Sequence, residues 1–343
     1  MKKKHILILI IAPIIASILA LSRVYYAYNV WSYSGPDKTF TIKSGQGFSS
    51  INGKLIKGNF IYSGKLFHRY CQFYKCLNKF KAGEYEIKNG MTMKTIIDLL
   101  LLGHSKTIKI TIPEGKNSYE IAKILLNQKV IKSYATFIAL IKDKKFRNSQ
   151  NLQGPNLEGY LYPETYYFLK NMSEKAVIIK MIQQFKLATK NISFSNPKLS
   201  KFQVLTLASI VEKETGASSE RPIIAGVFLN RLKKHMRLQS DPTTIYGIYE
   251  NFNGNLRKKH LLQKTAYNTY KIPALPIGPI CNPGIQAIKA VLEPTQHNFL
   301  YFVSKNNGRH IFSETYKKHR KAVNLYQKKS SMRKGKSWRD LKK

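Results

Sequence analysis

Two carboxylates close a helix that has no polar face. Residues 203 to 215 read QVLTLASIVEKET, where Val204, Leu205, Leu207, Ala208, Ile210 and Val211 point in nearly every direction and Glu212 and Glu214 follow at the end. A helix that is apolar all round is a buried one. Desolvation disfavours the charged form of an acid, so a carboxyl at such a place tends to keep its proton. A half-buried, protonated carboxylic acid is a general acid. Helical spacing does not choose between the two, because Glu212 stacks with Leu205 and Ala208 while Glu214 stacks with Leu207 and Ile210.

Acids are scarce in this chain of 343 residues, with 18 Asp+Glu against 58 Lys+Arg, so each carboxylate in a local pattern stands out. Glu158 and Glu164 lie in LEGYLYPETYYF, residues 157 to 168, an aromatic run of the kind that lines a sugar cleft. Ring faces stack on pyranose C–H groups while acids take hydroxyls. Asp241 lies in MRLQSDPTTIYGI, where Gln239, Ser240, Asp241 and Pro242 read as a turn. From Tyr267 to Gly284, YNTYKIPALPIGPICNPG is a Pro/Gly/Asn loop, and a loop that long inside a compact domain is usually functional.

The elements that must position these groups can be read outward from them. SSERPIIAGVFLNRL carries a helical stripe of Ile223, Ile224, Val227, Phe228 and Leu232 that belongs to a core, and the chain after Glu293 reads as strand, Asn-Asn-Gly turn, strand and helix. Nearer the start, a pattern of short strand, glycine turn and helix recurs. At a constant offset of 70, Ile42, Gly45, Ile51, Leu55 and Ile61 correspond to Ile112, Gly115, Ile121, Leu125 and Ile131, and Ile87, Gly90, Ile96 and Leu100 repeat the spacing once more. The polar stretch DKKFRNSQNLQGP, residues 143 to 155, marks the expected domain boundary.

At the N-terminus Lys2, Lys3 and Lys4 precede an apolar run from Ile6 to Leu21, followed by Arg23 and by Tyr25, Tyr26, Tyr28 and Trp31. With its aromatic flank this run reaches the roughly 20 residues needed to cross a bilayer. No A-x-A cleavage site follows it, so an uncleaved transmembrane anchor is expected, with the lysines cytoplasmic and everything after about Trp31 outside.

The formal net charge of +40 would suit a polyanionic partner. Its lysines are strewn over polar positions with no zinc-finger, helix-turn-helix or RNP-like pattern, so no nucleic acid is expected. Cys71 and Cys76 could close a small disulfide loop in an oxidising compartment, and Cys281 is left over as packing. No metal site is expected from the His and Cys spacing, and no cofactor, since no phosphate-cradling Gly-rich loop is present.

IVEKET, ERPIIAGVFLNRL, MRLQSDPT, YNTY, LPIGPICNPG, LYFV and LEGYLYPET together resemble the YceG-like (MltG) endolytic transglycosylases, over most of the chain. The strand-turn-helix repeat resembles the opening half of a LysM module, a small glycan-binding unit. The resemblance implies an α+β protein with an N-terminal transmembrane helix at 6–31 after a cytoplasmic 1–5, a LysM-like region at 38–150, a mixed α/β catalytic domain at 155–327 and a basic tail at 328–343. It implies Glu212 as the catalytic acid, and Gln239, Asp241, Tyr267, Asn268, Asn282 and Glu158 as candidates for holding the glycan. Peptidoglycan strands, one lipid bilayer and peptidoglycan synthases are the implied partners, at the plasma membrane with the catalytic domain outside. Two rivals stay open: a muramidase-type hydrolase using Glu158 or Asp241 as second carboxylate, and a non-catalytic glycan-binding scaffold.

Overall fold

The computed structural model describes residues 2–43, 45–103, 107–194 and 199–329, the side chains of 2–10 and 12 excepted. Two compact units divide the chain, one of residues 1–108 with 167–170 and one of residues 109–166 with 171–343.

The first unit begins with helix α1 (Lys2–Tyr25), which contains Pro13 and runs into a π-helical turn at Tyr26–Val30. Among the described residues no helix is long and apolar enough to cross a membrane. Much of the expected anchor, Lys2 to Ile10 and Ala12, has side chains outside the described ones. There follow β1 (Lys38–Ile42), α2 (Phe48–Lys57), α3 (Gly64–Phe73), β2 (Gly83–Ile87) and α4 (Met93–Leu102). Strands β1 and β2 pair antiparallel with Phe40 opposite Tyr85. Alternation turns Phe40, Ile42, Tyr85 and Ile87 inward onto Ile51, Leu55, Phe67, Ile96 and Leu100 of the helices, all buried. Ser63 and Thr92 cap α3 and α4 through their hydroxyls.

The second unit starts at Lys109 within β3 (Ile108–Thr111), which pairs with β4 (Thr165–Phe168); Ile112 N donates to Glu164 O at 3.0 Å. Helices α5 (Ser118–Asn127), α6 (Tyr134–Lys142), α7 (Lys144–Ser149), α8 (Glu174–Ala188), α9 (Lys201–Glu214), α10 (Arg221–Lys233), α11 (Asp241–Gly247), α12 (Lys258–Leu262) and α13 (Ile285–Leu292) build its body. The hairpin β5 (Tyr301–Ser304) and β6 (His310–Ser313) and helix α14 (Tyr316–Val323) complete it. Most of the basic tail, 330–343, lies outside the described residues.

The three sequence repeats fold alike. Each passes from strand to helix through a glycine in the left-handed region, Gly45 at φ 77°, Gly90 at 81° and Gly115 at 77°, which a side chain rarely tolerates. The expected domain boundary lay between 143 and 155; the compact units divide at Ile108/Lys109. The third repeat is therefore not grouped with the other two. The reason lies at the start of α5, where Ser118 N donates to Glu158 and Lys116 O, two residues before the helix, accepts from Asn282 Nδ2.

Candidate active site

Helix α9 is the frame of the site. Ser200 and Gln203 form its capping box, and Val204 to Val211 are all buried. It stops at Thr215, which is extended, and Gly216 beyond it packs so close to Gly308 that a Cβ would come within 2.8 Å of the Gly308 carbonyl oxygen. Glu212 and Glu214 thus leave the last turn beside different neighbours.

Glu212 is enclosed, its side chain 6% exposed. Its Oε1 accepts from Arg221 Nη2 at 2.8 Å, and its Oε2 accepts from the Gly284 backbone N at 3.1 Å. The same Arg221 nitrogen reaches Glu114 at 3.1 Å. Burial raises the Glu212 pKa, while the Arg221 charge opposes that rise. Both oxygens are engaged in tying together the end of α9, the start of α10, the turn before α5 and the start of α13.

Glu214 faces a cavity of about 280 Å³. Ser240 Oγ donates to its Oε1 at 2.6 Å, and Oε2 has no hydrogen-bond partner among the described residues. Burial pushes its pKa up to about 7, with the nearby Asp241 charge adding to the rise; the Ser240 hydrogen bond, then Arg231 and Lys213, oppose it. Here is a half-buried carboxyl that lines a cavity, has one oxygen without a hydrogen-bond partner among the described residues, and titrates near neutrality.

Gln239 and Asp241 line the same cavity, as do Arg231, Tyr270 and His319, with Phe228, Leu238 and Phe302 as its apolar lining. Gln239 takes a left-handed backbone, φ 52°, and its N donates to Thr269 O at 3.2 Å. The expected turn at 239 to 242 is instead the entry into α11, with Ser240 in the N-cap position and Asp241 opening the helix. Tyr270 donates its hydroxyl to Asp241 Oδ1 at 2.7 Å, and burial together with that carboxylate raises the phenol pKa, keeping it a donor.

The other four candidates are braces and do not line this cavity. Glu158 is fully buried and accepts from Ser118 N at 3.0 Å, Ser118 Oγ at 2.7 Å, Tyr246 OH at 2.9 Å and Asn282 Nδ2 at 2.7 Å. Burial takes its pKa to about 7 against the pull of those donors. Asn282 also accepts from Leu161 N at 2.8 Å and donates to Lys116 O at 3.0 Å. Asn268 donates to Gln263 O at 2.6 Å and Leu261 O at 3.1 Å, and its Oδ1 accepts from Thr244 Oγ1 and Tyr270 N. Tyr267 packs its ring edge-on against Tyr246, centroids 4.7 Å apart. The polar side-chain groups of Glu158, Asn268 and Asn282 are thus engaged by the fold. Arg231, Tyr270 and His319 were missed because each sits in a stretch that reads as core stripe, loop or surface helix, and only tertiary packing brings them to Glu214.

Cys71, Cys76 and Cys281 are free thiols and buried. Among the described residues no cluster of His, Cys, Asp and Glu is placed to hold a metal ion.

A half-buried acid at the end of a buried helix, opening on a polar cavity with aromatic walls, suits acid-catalysed cleavage of a glycan. Residues 40–325 match the YceG-like family, and the chain belongs to it. It is 36% identical over 304 residues, 83% of each chain, to the endolytic murein transglycosylase of Bacillus subtilis. To the endolytic murein transglycosylase of Streptococcus pneumoniae it is 28% identical over 305 residues, 78% of this chain and 54% of that relative, so it spans about half the pneumococcal protein. A crystal structure of a YceG-like protein from Listeria monocytogenes superposes with a TM-score of 0.58 at 31% identity, covering 84% of this chain and all of that one.

Proposed function

We propose that the chain is a membrane-anchored endolytic murein transglycosylase, cutting nascent peptidoglycan strands internally and so ending their elongation. The observation that carries this reading is Glu214, a carboxyl with a pKa near 7 and a free oxygen on the cavity. Family membership and two relatives bearing that name support it.

Protonated Glu214 gives its proton to the oxygen joining MurNAc C1 to GlcNAc. The C1–O bond breaks and its electron pair stays with that oxygen. The muramyl C6 hydroxyl then bonds to C1, and its proton returns to the Glu214 carboxylate. The product is a 1,6-anhydromuramyl end, no water is consumed, and the acid is regenerated. Glu212, expected from the resemblance to be the acid, holds its ion pair with Arg221 instead, and the role moves two residues along the helix. Of the expected glycan-holding residues, Gln239 and Asp241 keep that role because they share the cavity.

Glu214→Gln tests the assignment. Cleavage should fall by about 10² to 10⁴, the usual contribution of a general acid; full activity in that variant would refute it. Asp241 in the same cavity favours a hydrolase as the second reading, with Asp241 as the carboxylate that activates water. Mass spectrometry separates the two, since hydrolysis leaves hydrated reducing ends and transglycosylation leaves anhydro ends.

The order β1, α2, α3, β2, two helices between antiparallel strands, supports a LysM-like role for the first unit in holding glycan. An apolar N-terminal helix after three lysines supports anchoring in the plasma membrane with the catalytic unit outside, within reach of the synthases. Protease accessibility on intact protoplasts tests that topology; a second unit cut only after lysis would exclude it.

A further inference from the structure

The cavity that holds Glu214 also carries two donors that no part of the proposed mechanism uses. Arg231 is 7% exposed. Its Nε donates to Leu300 O at 2.6 Å and its Nη1 to Leu238 O at 2.8 Å, while Nη2 has no partner among the described residues. His319, on α14, lies against the ring of Tyr301 with centroids 5.1 Å apart, and the Arg231 guanidinium lies 5.3 Å from the same ring. His319 Nδ1 is buried and has no hydrogen-bond partner among the described residues.

Those facts assign the imidazole. A buried N–H with no acceptor is a costly orphan, so the proton of the neutral ring belongs on Nε2. Burial and the Arg231 charge both lower the His319 pKa, which keeps the ring uncharged at neutral pH. The groups around it are the Arg231 cation from α10, the Tyr301 phenol from β5 and Tyr316 on its own helix. His319 therefore offers one N–H and no accessible lone pair, beside a guanidinium that can only donate.

Most polar groups of a glycan are hydroxyls, which both donate and accept and suit Gln239 and Asp241. The acetamido carbonyl is different: it only accepts, and it carries a methyl group. We propose that Arg231 Nη2 and His319 Nε2 bind the acetamido carbonyl oxygen of the N-acetylated sugar at the cleavage point, with Phe228, Leu238 and Phe302 receiving its methyl. The cavity supplies both halves of that recognition, paired donors and an apolar wall. This inference rests on the transglycosylase reading and adds a substrate requirement to it, that the sugar be N-acetylated.

Initial rates on fully N-acetylated glycan strands and on chemically N-deacetylated strands test it, using the full-length protein and its variants His319→Ala and His319→Gln. Wild type should prefer acetylated strands. His319→Ala should lose about tenfold on acetylated strands, as expected for one hydrogen bond lost at a buried acceptor, chiefly in KM, with little change on deacetylated ones. His319→Gln, whose amide can donate from a similar position, should recover most of the loss. A free amine on the sugar is repelled by Arg231 in every variant, so the change in preference between wild type and His319→Ala isolates the imidazole. Equal losses on both substrates, or no loss on either, would overturn the proposal. Wild type that cuts neither strand would refute the underlying function instead, as would an active Glu214→Gln.

Discussion

Glu212 and Glu214 lie two residues apart on one helix end, yet the first is met by Arg221 Nη2 at 2.8 Å and the second by Ser240 Oγ at 2.6 Å. One partner is a cation inside a structural tie, the other a buried neutral hydroxyl. That difference separates what the two acids can do.

Glu212→Gln should therefore act on stability. Removing one partner of a buried ion pair is strongly destabilising, and here Arg221 would keep only the more exposed Glu114, so a loss of about 1–3 kcal/mol is expected. Chemical denaturation should show that loss, while cleavage per folded molecule stays within a few-fold of wild type. Glu214→Gln should show the reverse pattern.

The alkaline limb of the pH–rate profile should report Glu214, which must be protonated to act and titrates near 7. Ser240→Ala removes a hydrogen bond that favours the charged form, so the limb should move to higher pH. Asp241→Asn removes a neighbouring negative charge that raises the pKa, so the limb should move to lower pH. Opposite shifts in kcat/KM profiles are the signature; parallel shifts would reject the assignment.

Stability should also depend on pH through Glu158 and Glu214, both raised from an ordinary 4.5 to about 7 in the fold. The folded state then holds protons that the unfolded chain releases, so this contribution is complete below about 4.5 and is lost as pH rises through 7. Tm should decline over that window, and less steeply in Glu214→Gln.

Asn282→Ala removes a side chain that joins Leu161, Lys116 and Glu158 in the buried interior. Leaving such groups unpaired costs about 1–3 kcal/mol each, so a loss of several kcal/mol is expected in urea unfolding. A change of less than about 1 kcal/mol would overturn the role of Asn282 as a brace.

Thiol labelling should be slow at all three cysteines. Each is buried, and burial raises the pKa of Cys71 and of Cys281, so little reactive thiolate is present. Iodoacetamide should modify them only after denaturation; rapid labelling of the native protein would show that these sites open.

Periodicity made the scaffold legible. The buried course of α9, the stripe of α10, the closing hairpin with its Asn-Asn-Gly turn, and three glycine turns could all be placed from spacing alone. The acid proposed for catalysis was not legible, because Glu212 and Glu214 border equally apolar neighbours along the helix. What separates them, Arg221 against Ser240, comes from other elements. The partners of Glu158, Asn268 and Asn282 were hidden for a related reason: polar residues in Pro- and Gly-rich segments look available in sequence, and only the fold reveals their hydrogen bonds to Ser118, Gln263 and Lys116. His319 gave no signal at all, sitting in a lysine-rich helix that reads as surface.

The segment from Tyr267 to Gly284 reads as a loose loop and is sewn down along its second half. Asn282 N donates to Lys116 O at 2.9 Å while Gly115 N donates to Asn282 O at 3.0 Å; Ile280 N donates to Ser209 Oγ at 3.0 Å, and Gly284 N reaches Glu212. Ordering a free segment costs about 1–2 kcal/mol per residue in conformational entropy. Here that cost is met when the chain folds, so the stretch that braces the end of α9 through Glu212 and Ser209 is already ordered before a glycan arrives, and none of the strand's contact energy is spent on freezing it.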